Sequence, residues 1–312
     1  MNEALRLGTR GSQLAMWQAH RVKALLEEAH PGIQVEIIEI KTSGDRIKDA
    51  PLGSPGTIGF FTKEIEQALF NDQIDLAVHS LKDLPTSLVS GLTLAVVPER
   101  ADTRDALIGR SGVVAGLDDL GPGKRVATSS PRRRSQLLAA FPGVTIEPIR
   151  GNVPRRIAAA RKDGGPDAVL LAMAGLMRLG LGEQVTCPIP HETMLPAPAQ
   201  GALGIETRED DARTRELLSL LENAAARLAV TAERSFLARL EGGCTVPAGA
   251  LARFGESGEI VLEGVVAGLD GKELFRGSLS GSDPAALGRG LAEELLASGA
   301  DRVLAALREG GQ

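Results

Sequence analysis

The sequence of 312 residues has no tyrosine, one tryptophan, four histidines and two cysteines, and each scarcity removes a class of function. Binding of single-stranded nucleic acid uses aromatic platforms set among basic residues, yet Phe141 is the sole aromatic between Lys124 and Lys162, the most basic stretch. The formal net charge of −5 also argues against nucleic acid as a general partner. Cys187 and Cys244 allow at most one disulfide, and a chain of this size without a secretory leader is expected to keep both thiols free in a reducing, cytoplasmic setting. The opening "MNEALRLGTRGSQLAMW" has charges on either side of too short an apolar run for a signal peptide, and nowhere do 18 uncharged apolar residues run together, so no membrane partner is expected. "CPIPH" brings together only Cys187 and His191, and His20, His30 and His79 add no cluster, so no metal site is expected. No G-x-x-x-x-G-K-[ST] run occurs, which excludes a P-loop.

What is present is the composition of an ordinary globular chain, with 43% hydrophobic and 24% charged residues. Its length favours two or three compact domains over one core. Short β-type runs alternate with helical patterns: "ALRLGT", a helix from Ser12 to about Ala29, "IQVEIIEI", a helix from about Phe60 to Asn71, and "DLAVHS". Such alternation predicts α/β layers. In the first helix Ala15, Ala19, Val22, Leu26 and Ala29 share one face, the stripe expected against a sheet. A second alternating block begins near Ala101, with "RVATSS", a helix from Pro131 to Phe141, "VTIEPI", a helix from near Val153, "DAVLLA" and a helical run to Leu179. Prolines 188, 190, 196 and 198 predict an extended, non-helical connection before "GALGIE" resumes a strand. After Arg213 come helices to Leu240, two strand-like runs joined at the hairpin signal Asp270-Gly271, and a closing helix from about Pro284, which together read as a small α+β unit. "LGTRGSQLA" loosely echoes "VATSSPRRRSQLLA", as two related α/β domains would.

Between Lys124 and Lys162 lie ten basic residues and one acidic residue, Glu147, leaving the remainder of the chain near −14. In "ATSSPRRRSQLL" a strand end meets a helix start, with Ser130 as N-cap and Pro131 at the first helical position. "IRGNVPRRIAAARK" repeats the layout with Asn152 as cap. Helix N-termini with arginines beside them form anion sites, although a solvated basic face is the bland alternative. Phosphate, nucleic acid or carboxylate are the candidate ligands; a carboxylate-rich small molecule fits best, because arginine forks match carboxylates bidentately. In "IDLAVHSLKDLPT" a strand delivers His79, Ser80, Lys82 and Asp83 to a loop, where Lys82 and Asp83 read either as a surface ion pair or as reactive groups at a strand end. Cys244 follows a helix-like segment and two glycines; the helix would present its negative end to the sulfur, which does not favour a thiolate nucleophile, and no local signature of a Cys/His hydrolase accompanies it.

Seven stretches, "GTRGSQLA", "DLAVHSLKDLP", "TSSPRRRSQL", "IRGNVPRR", "AMAGLMRLGL", "PAPAQGALGIE" and "LEGGCTVP", occur in an order that resembles the porphobilinogen deaminase (hydroxymethylbilane synthase) family, from about Leu7 to Gly249. The resemblance implies two periplasmic-binding-protein-like α/β domains plus a small C-terminal α+β domain, divided as residues 1–100 with 200–218, 101–199, and 219–312. It implies a dipyrromethane cofactor joined to Cys244 through a thioether, and a monomer that condenses porphobilinogen into a growing polypyrrole chain. Asp83 and Lys82 take the catalytic and cofactor-binding role; Thr128, Ser129, Ser130, Arg132, Arg133 and Arg156 hold cofactor carboxylates; Arg10, Ser12, Gln18, Arg150, Arg178 and Gln200 face substrate or the elongating chain. The sequence departs from the family at "SPGTIGFFTKEIE", where Ile58 stands in place of an expected lysine, so that a lid over the site would act through Phe60 or Phe61. A non-catalytic anion-binding protein would account for the α/β halves and the arginines, but not for the Gly-Gly-Cys loop or the Lys-Asp strand end.

Overall fold

The computed structural model describes residues 4–43, 62–240 and 246–309. Three sheets organise them. The first is built from β1 (Leu5–Thr9), β2 (Val35–Glu39), β3 (Leu76–Ser80), β4 (Leu92–Val96) and β10 (Leu203–Arg208), in the order β2-β1-β3-β10-β4. β1 runs parallel to β2 and β3, whereas β10 is antiparallel to both β3 and β4. The second sheet holds β5 (Asp105–Gly109), β6 (Arg125–Ala127), β7 (Thr145–Glu147), β8 (Ala168–Ala172) and β9 (Cys187–Pro188), in the order β7-β6-β8-β5-β9. Here β6 is parallel to β7 and β8, and β5 is antiparallel to β8 and β9.

Both sheets are covered on their two faces, as expected of largely parallel sheets whose crossovers are helical. In β5, Ala106 and Ile108 enter one core while Leu107 enters the other; in β8, Val169 and Leu171 oppose Ala168 and Leu170 in the same way. This is the two-residue period of a strand. Against the first sheet packs the helix Gln13–Ala29, which begins at Ser12, whose hydroxyl accepts the Ala15 N–H at 3.3 Å. It buries Gln18, Ala19, Val22 and Leu26, while Ala15 and Ala29, expected on the same stripe, are half-buried. Truncating Leu26 to alanine would cost about 2–5 kcal/mol, the usual range for a buried leucine.

The third sheet is an antiparallel meander of β11 (Ala248–Phe254), β12 (Ile260–Ala267) and β13 (Leu274–Gly281). The hairpin expected at Asp270-Gly271 joins β12 to β13, with Gly271 at a φ of 74° that favours glycine. β11 has little strand signal in the sequence, because "AGALARF" contains no β-branched residue. Its small Ala250 and Ala252 lie in the core with Phe236 of the helix Ala224–Arg239 and with Leu262 and Leu291. The closing helix Pro284–Leu295 is capped by Asp283, which accepts the Ala285 and Ala286 N–H groups at 2.9 and 3.0 Å.

Contact density groups the chain into two compact units, Met1–Ala101 with Gly201–Leu228, and Asp102–Gln200 with Ala229–Gln312. The third sheet therefore shares a unit with the second. Within that unit Gly271 lies against Leu138 and Ala139 of the helix Pro131–Ala140, and Arg134 Nε donates to the Leu269 carbonyl at 3.0 Å. Residues 189–200 contain no helix, as their prolines require. No described helix is long and apolar enough to cross a membrane.

Candidate active site

In the second unit the site is built where β6 ends and the helix Pro131–Ala140 begins. Ser130 caps this helix by accepting the Arg133 N–H at 3.4 Å, and Pro131 occupies the first turn. The triplet Arg132-Arg133-Arg134 then splits by helical geometry, with Arg132 and Arg133 buried and Arg134 exposed. Both inward arginines converge on Asp105, the first residue of β5, which is fully buried opposite Ala172 at the end of β8. Arg132 Nη1 reaches Asp105 Oδ2 at 2.6 Å; Arg133 Nε and Nη2 reach Oδ1 at 3.0 and 2.7 Å. Burial by itself would raise the Asp105 carboxyl, but the two guanidinium groups outweigh it and hold the acid far below the usual carboxylate range. Arg132 in turn loses proton affinity to burial, only partly offset by Asp105 and worsened by Arg133.

Gln200, expected to face substrate or the elongating chain, is fully buried. Its amide donates to Asp105 Oδ1 at 3.0 Å and to the Thr103 and Arg104 carbonyls at 2.8 and 3.3 Å. Thr128, Ser129 and Ser130 all lie at the β6 end, with hydroxyls engaged locally. Thr128 Oγ1 accepts the Ser130 N–H at 3.1 Å, and Ser129 Oγ donates to the Ile149 carbonyl at 2.7 Å while accepting its N–H at 3.0 Å. This reciprocal bridge ties the β6 end to the segment leading to Arg150, which is exposed. Asn152 caps the helix Val153–Ala160 by accepting the Arg155 N–H at 3.1 Å. In its first turn Arg156 is half-buried, with Nε donating to the Gly151 carbonyl at 2.7 Å, and burial together with the nearby Arg133 lowers its proton affinity. Arg178 ends the helix Met173–Arg178 and is pushed down to about 10 by burial.

In the first unit, β3 leads into a 3₁₀ turn, Leu81–Asp83, that buries Leu81, half-buries Lys82 and exposes Asp83. The Asp83 carboxylate makes no ion pair among the described residues. Ser80 accepts the Gln18 side-chain amide at 2.7 Å, so these two groups stand together at the β3 end. Arg10 is half-buried just before the Ser12 cap. Behind the strand end His79 Nε2 approaches Glu206 Oε2 at 3.2 Å, both residues being buried, without the alignment of a hydrogen bond. Cys244, and the departure at Ile58 with Phe60 and Phe61, lie outside the described residues.

Sequence reasoning missed Asp105, Glu206 and Gln136, whose amide and carbonyl exchange bonds with the Leu195 carbonyl and N–H at 3.0 and 2.8 Å. A single acid at the start of "DALIG" carries no local signal; only tertiary contact distinguishes it from a surface aspartate.

Residues 5–216 match the family model "porphobilinogen deaminase, dipyromethane cofactor binding domain", and residues 227–297 match "porphobilinogen deaminase, C-terminal domain". The chain belongs to the porphobilinogen deaminase family. Porphobilinogen deaminases of Roseiflexus castenholzii and Brevibacillus brevis are each 48% identical to it, over 98% of this chain and 100% and 99% of theirs. That of Desulforudis audaxviator is 49% identical over 99% of this chain and 100% of its own. Among solved structures, the VFT2 domain of Bordetella pertussis BvgS aligns with 70% of this chain at 14% identity and a TM-score of 0.40, a likeness too slight to bear on function.

The family's cofactor is a dipyrromethane, whose acetate and propionate groups require cationic donors. The second unit supplies them: the Nε–Nη2 edge of Arg132 makes no hydrogen bond among the described residues, and Arg156 stands in a cationic surrounding that an anion would relieve. The donor set fits the group.

Proposed function

We propose that this protein is a hydroxymethylbilane synthase of tetrapyrrole (haem) biosynthesis, a transferase that condenses four porphobilinogen molecules head to tail, with loss of one ammonia each, and releases the chain by hydrolysis as linear hydroxymethylbilane. The observation that carries this reading is the match of residues 5–216 to the family's cofactor-binding domain. When bound, the dipyrromethane supplies the pyrrole α-carbon from which the chain starts, and Cys244 is its point of attachment through a thioether.

Each addition breaks one C–N bond, forms one C–C bond and sheds the α-hydrogen as a proton. Departure of ammonia leaves positive charge on the incoming pyrrole. The exposed Asp83 carboxylate, presented on a 3₁₀ turn, stabilises that charge and holds the α-proton before release. Lys82, beside it and half-buried, contributes a fixed cation for a substrate carboxylate. Gln18 and Ser80 orient substrate at the same strand end, with Arg10 and Ser12 before the first helix. Arg150 and Arg178 bind carboxylates of the elongating chain, and Arg132, Arg156 and the Thr128–Ser130 segment those of the cofactor. The functional division follows residues 1–100 with 200–218, 101–199 and 219–312, in a cytoplasmic monomer.

Intact mass of the purified chain tests the reading: mass equal to that of the amino acids alone, unchanged after incubation with porphobilinogen, would overturn it. A Cys244→Ala variant should carry no added mass.

A further inference from the structure

Arg132 and Arg133 are neighbours that bind the same carboxylate, yet their guanidinium groups are used differently. Every nitrogen of the Arg133 group is committed within the protein: Nε and Nη2 to Asp105 Oδ1, and Nη1 to the Leu170 carbonyl at 3.0 Å. Arg132 uses only Nη1, which donates to Asp105 Oδ2 at 2.6 Å and to the Leu195 carbonyl at 2.7 Å. Its Nε–Nη2 edge, the edge whose two parallel N–H groups match a carboxylate, makes no hydrogen bond among the described residues.

Resting on the cofactor reading above, we infer that the pair is divided: Arg132 grips a dipyrromethane carboxylate with its Nε–Nη2 edge, and Arg133, Asp105 and Gln200 are positioning residues that hold Arg132 for that task. Charge explains why two arginines are needed. Asp105 alone would neutralise Arg132 and leave no net attraction for an incoming carboxylate. With Arg133 answering Asp105, the triad keeps one positive charge, and it lies on the arginine that has an open edge. Gln200 supplies a further donor to Asp105 Oδ1 and fixes the carboxylate plane, so its role is exercised through Asp105 and not by contact with substrate. Arg132 is thereby anchored at one end by two acceptors and presented at the other, the pre-organisation that tight carboxylate recognition needs.

Removing one partner of a buried ion pair leaves an uncompensated charge, whereas removing both is close to neutral. The test is therefore a rescue experiment read by intact mass, with thermal unfolding as a check on folding. Arg133→Met should reduce the holo fraction at least tenfold, and adding Asp105→Asn should restore it to within twofold of wild type. Arg132→Met should stay unloaded with or without Asp105→Asn. A folded Asp105→Asn/Arg133→Met chain that stays unloaded overturns the division of roles, as does full loading of Asp105→Asn/Arg132→Met. Should the double variants fail to fold, lysine replacements decide: Arg133→Lys, still able to answer Asp105, should load within twofold of wild type, and Arg132→Lys, lacking the fork, should fall at least tenfold. Equal loading of the two lysine variants overturns the proposal. A wild-type chain that gains no mass even after incubation with porphobilinogen would instead overturn the cofactor reading itself.

Discussion

The two five-stranded sheets share one strand order and differ in how they treat a buried acid. Each has a single antiparallel strand, fourth in the order, and it is the strand on which the chain arrives from the other sheet: β5 follows β4, and β10 follows β9. The first residue of each lies opposite the last residue of its parallel neighbour, Leu203 against Ser80 and Asp105 against Ala172. Thus an aliphatic residue in one sheet occupies the place of the arginine-bound acid in the other. The first sheet has its own buried acid three residues further along, Glu206, with His79 Nε2 at 3.2 Å from its Oε2. One scaffold therefore produces two electrostatic outcomes. The second sheet gathers two buried guanidinium groups around one acid, while the first leaves an acid, Asp83, exposed at its strand end.

The sharpest way to break this contrast is Asp83→Asn. It should fold and carry cofactor like the wild type but lose about 10³-fold in turnover, measured by porphobilinogen consumption; normal turnover would remove Asp83 from the chemistry. Next is Asp105→Asn, which strands two buried cations and should cost about 3–5 kcal/mol in a denaturant titration at pH 7. Because the folded-state proton affinity of Asp105 is depressed, its stabilisation is present above the unfolded carboxyl range near pH ~4 and is lost as pH falls toward the folded value. The gap between wild type and variant should therefore narrow below about pH 4; a constant gap would mean that packing, and not charge, is lost.

A smaller effect is expected from Glu206→Gln. The Glu206 oxygens make no hydrogen bond among the described residues, so neutralising the acid should change stability by about 1–2 kcal/mol, less than Asp105→Asn in the same assay. An equal or larger loss would show that the His79 pairing is as strong as the arginine triad. Smallest are the caps. Ser12→Ala and Ser130→Ala remove equivalent hydroxyls from the two leading helices and should each cost about 1 kcal/mol. Unequal losses would mean that the loops differ in more than their charges.

Much of this was legible beforehand for local reasons. Ser130-Pro131 and Asn152 carry the stereochemistry of helix starts, Asp270-Gly271 that of a tight turn, and the prolines after Cys187 exclude a helix; each acts within a few residues. Nothing in the residues around Gln200 points to Asp105, 95 positions away, and only the folded chain shows its amide directed there. β11 was missed because its alanines are suited to close packing by Phe236 and not by any strand propensity of their own.

The sequence alone determined the α/β alternation, the places where helices begin, and a dense run of arginines whose charge must be answered by an anion. Tertiary structure decided which anion answers each one. Arg132, Arg133 and Asp105 are 27 and 28 residues apart along the chain and meet only because β5 is laid beside β8 with its first residue at the sheet end where the arginine helix starts. Electrostatic partnership between buried groups depends on distance in space and on exclusion of water, and neither is written in the order of residues along the chain.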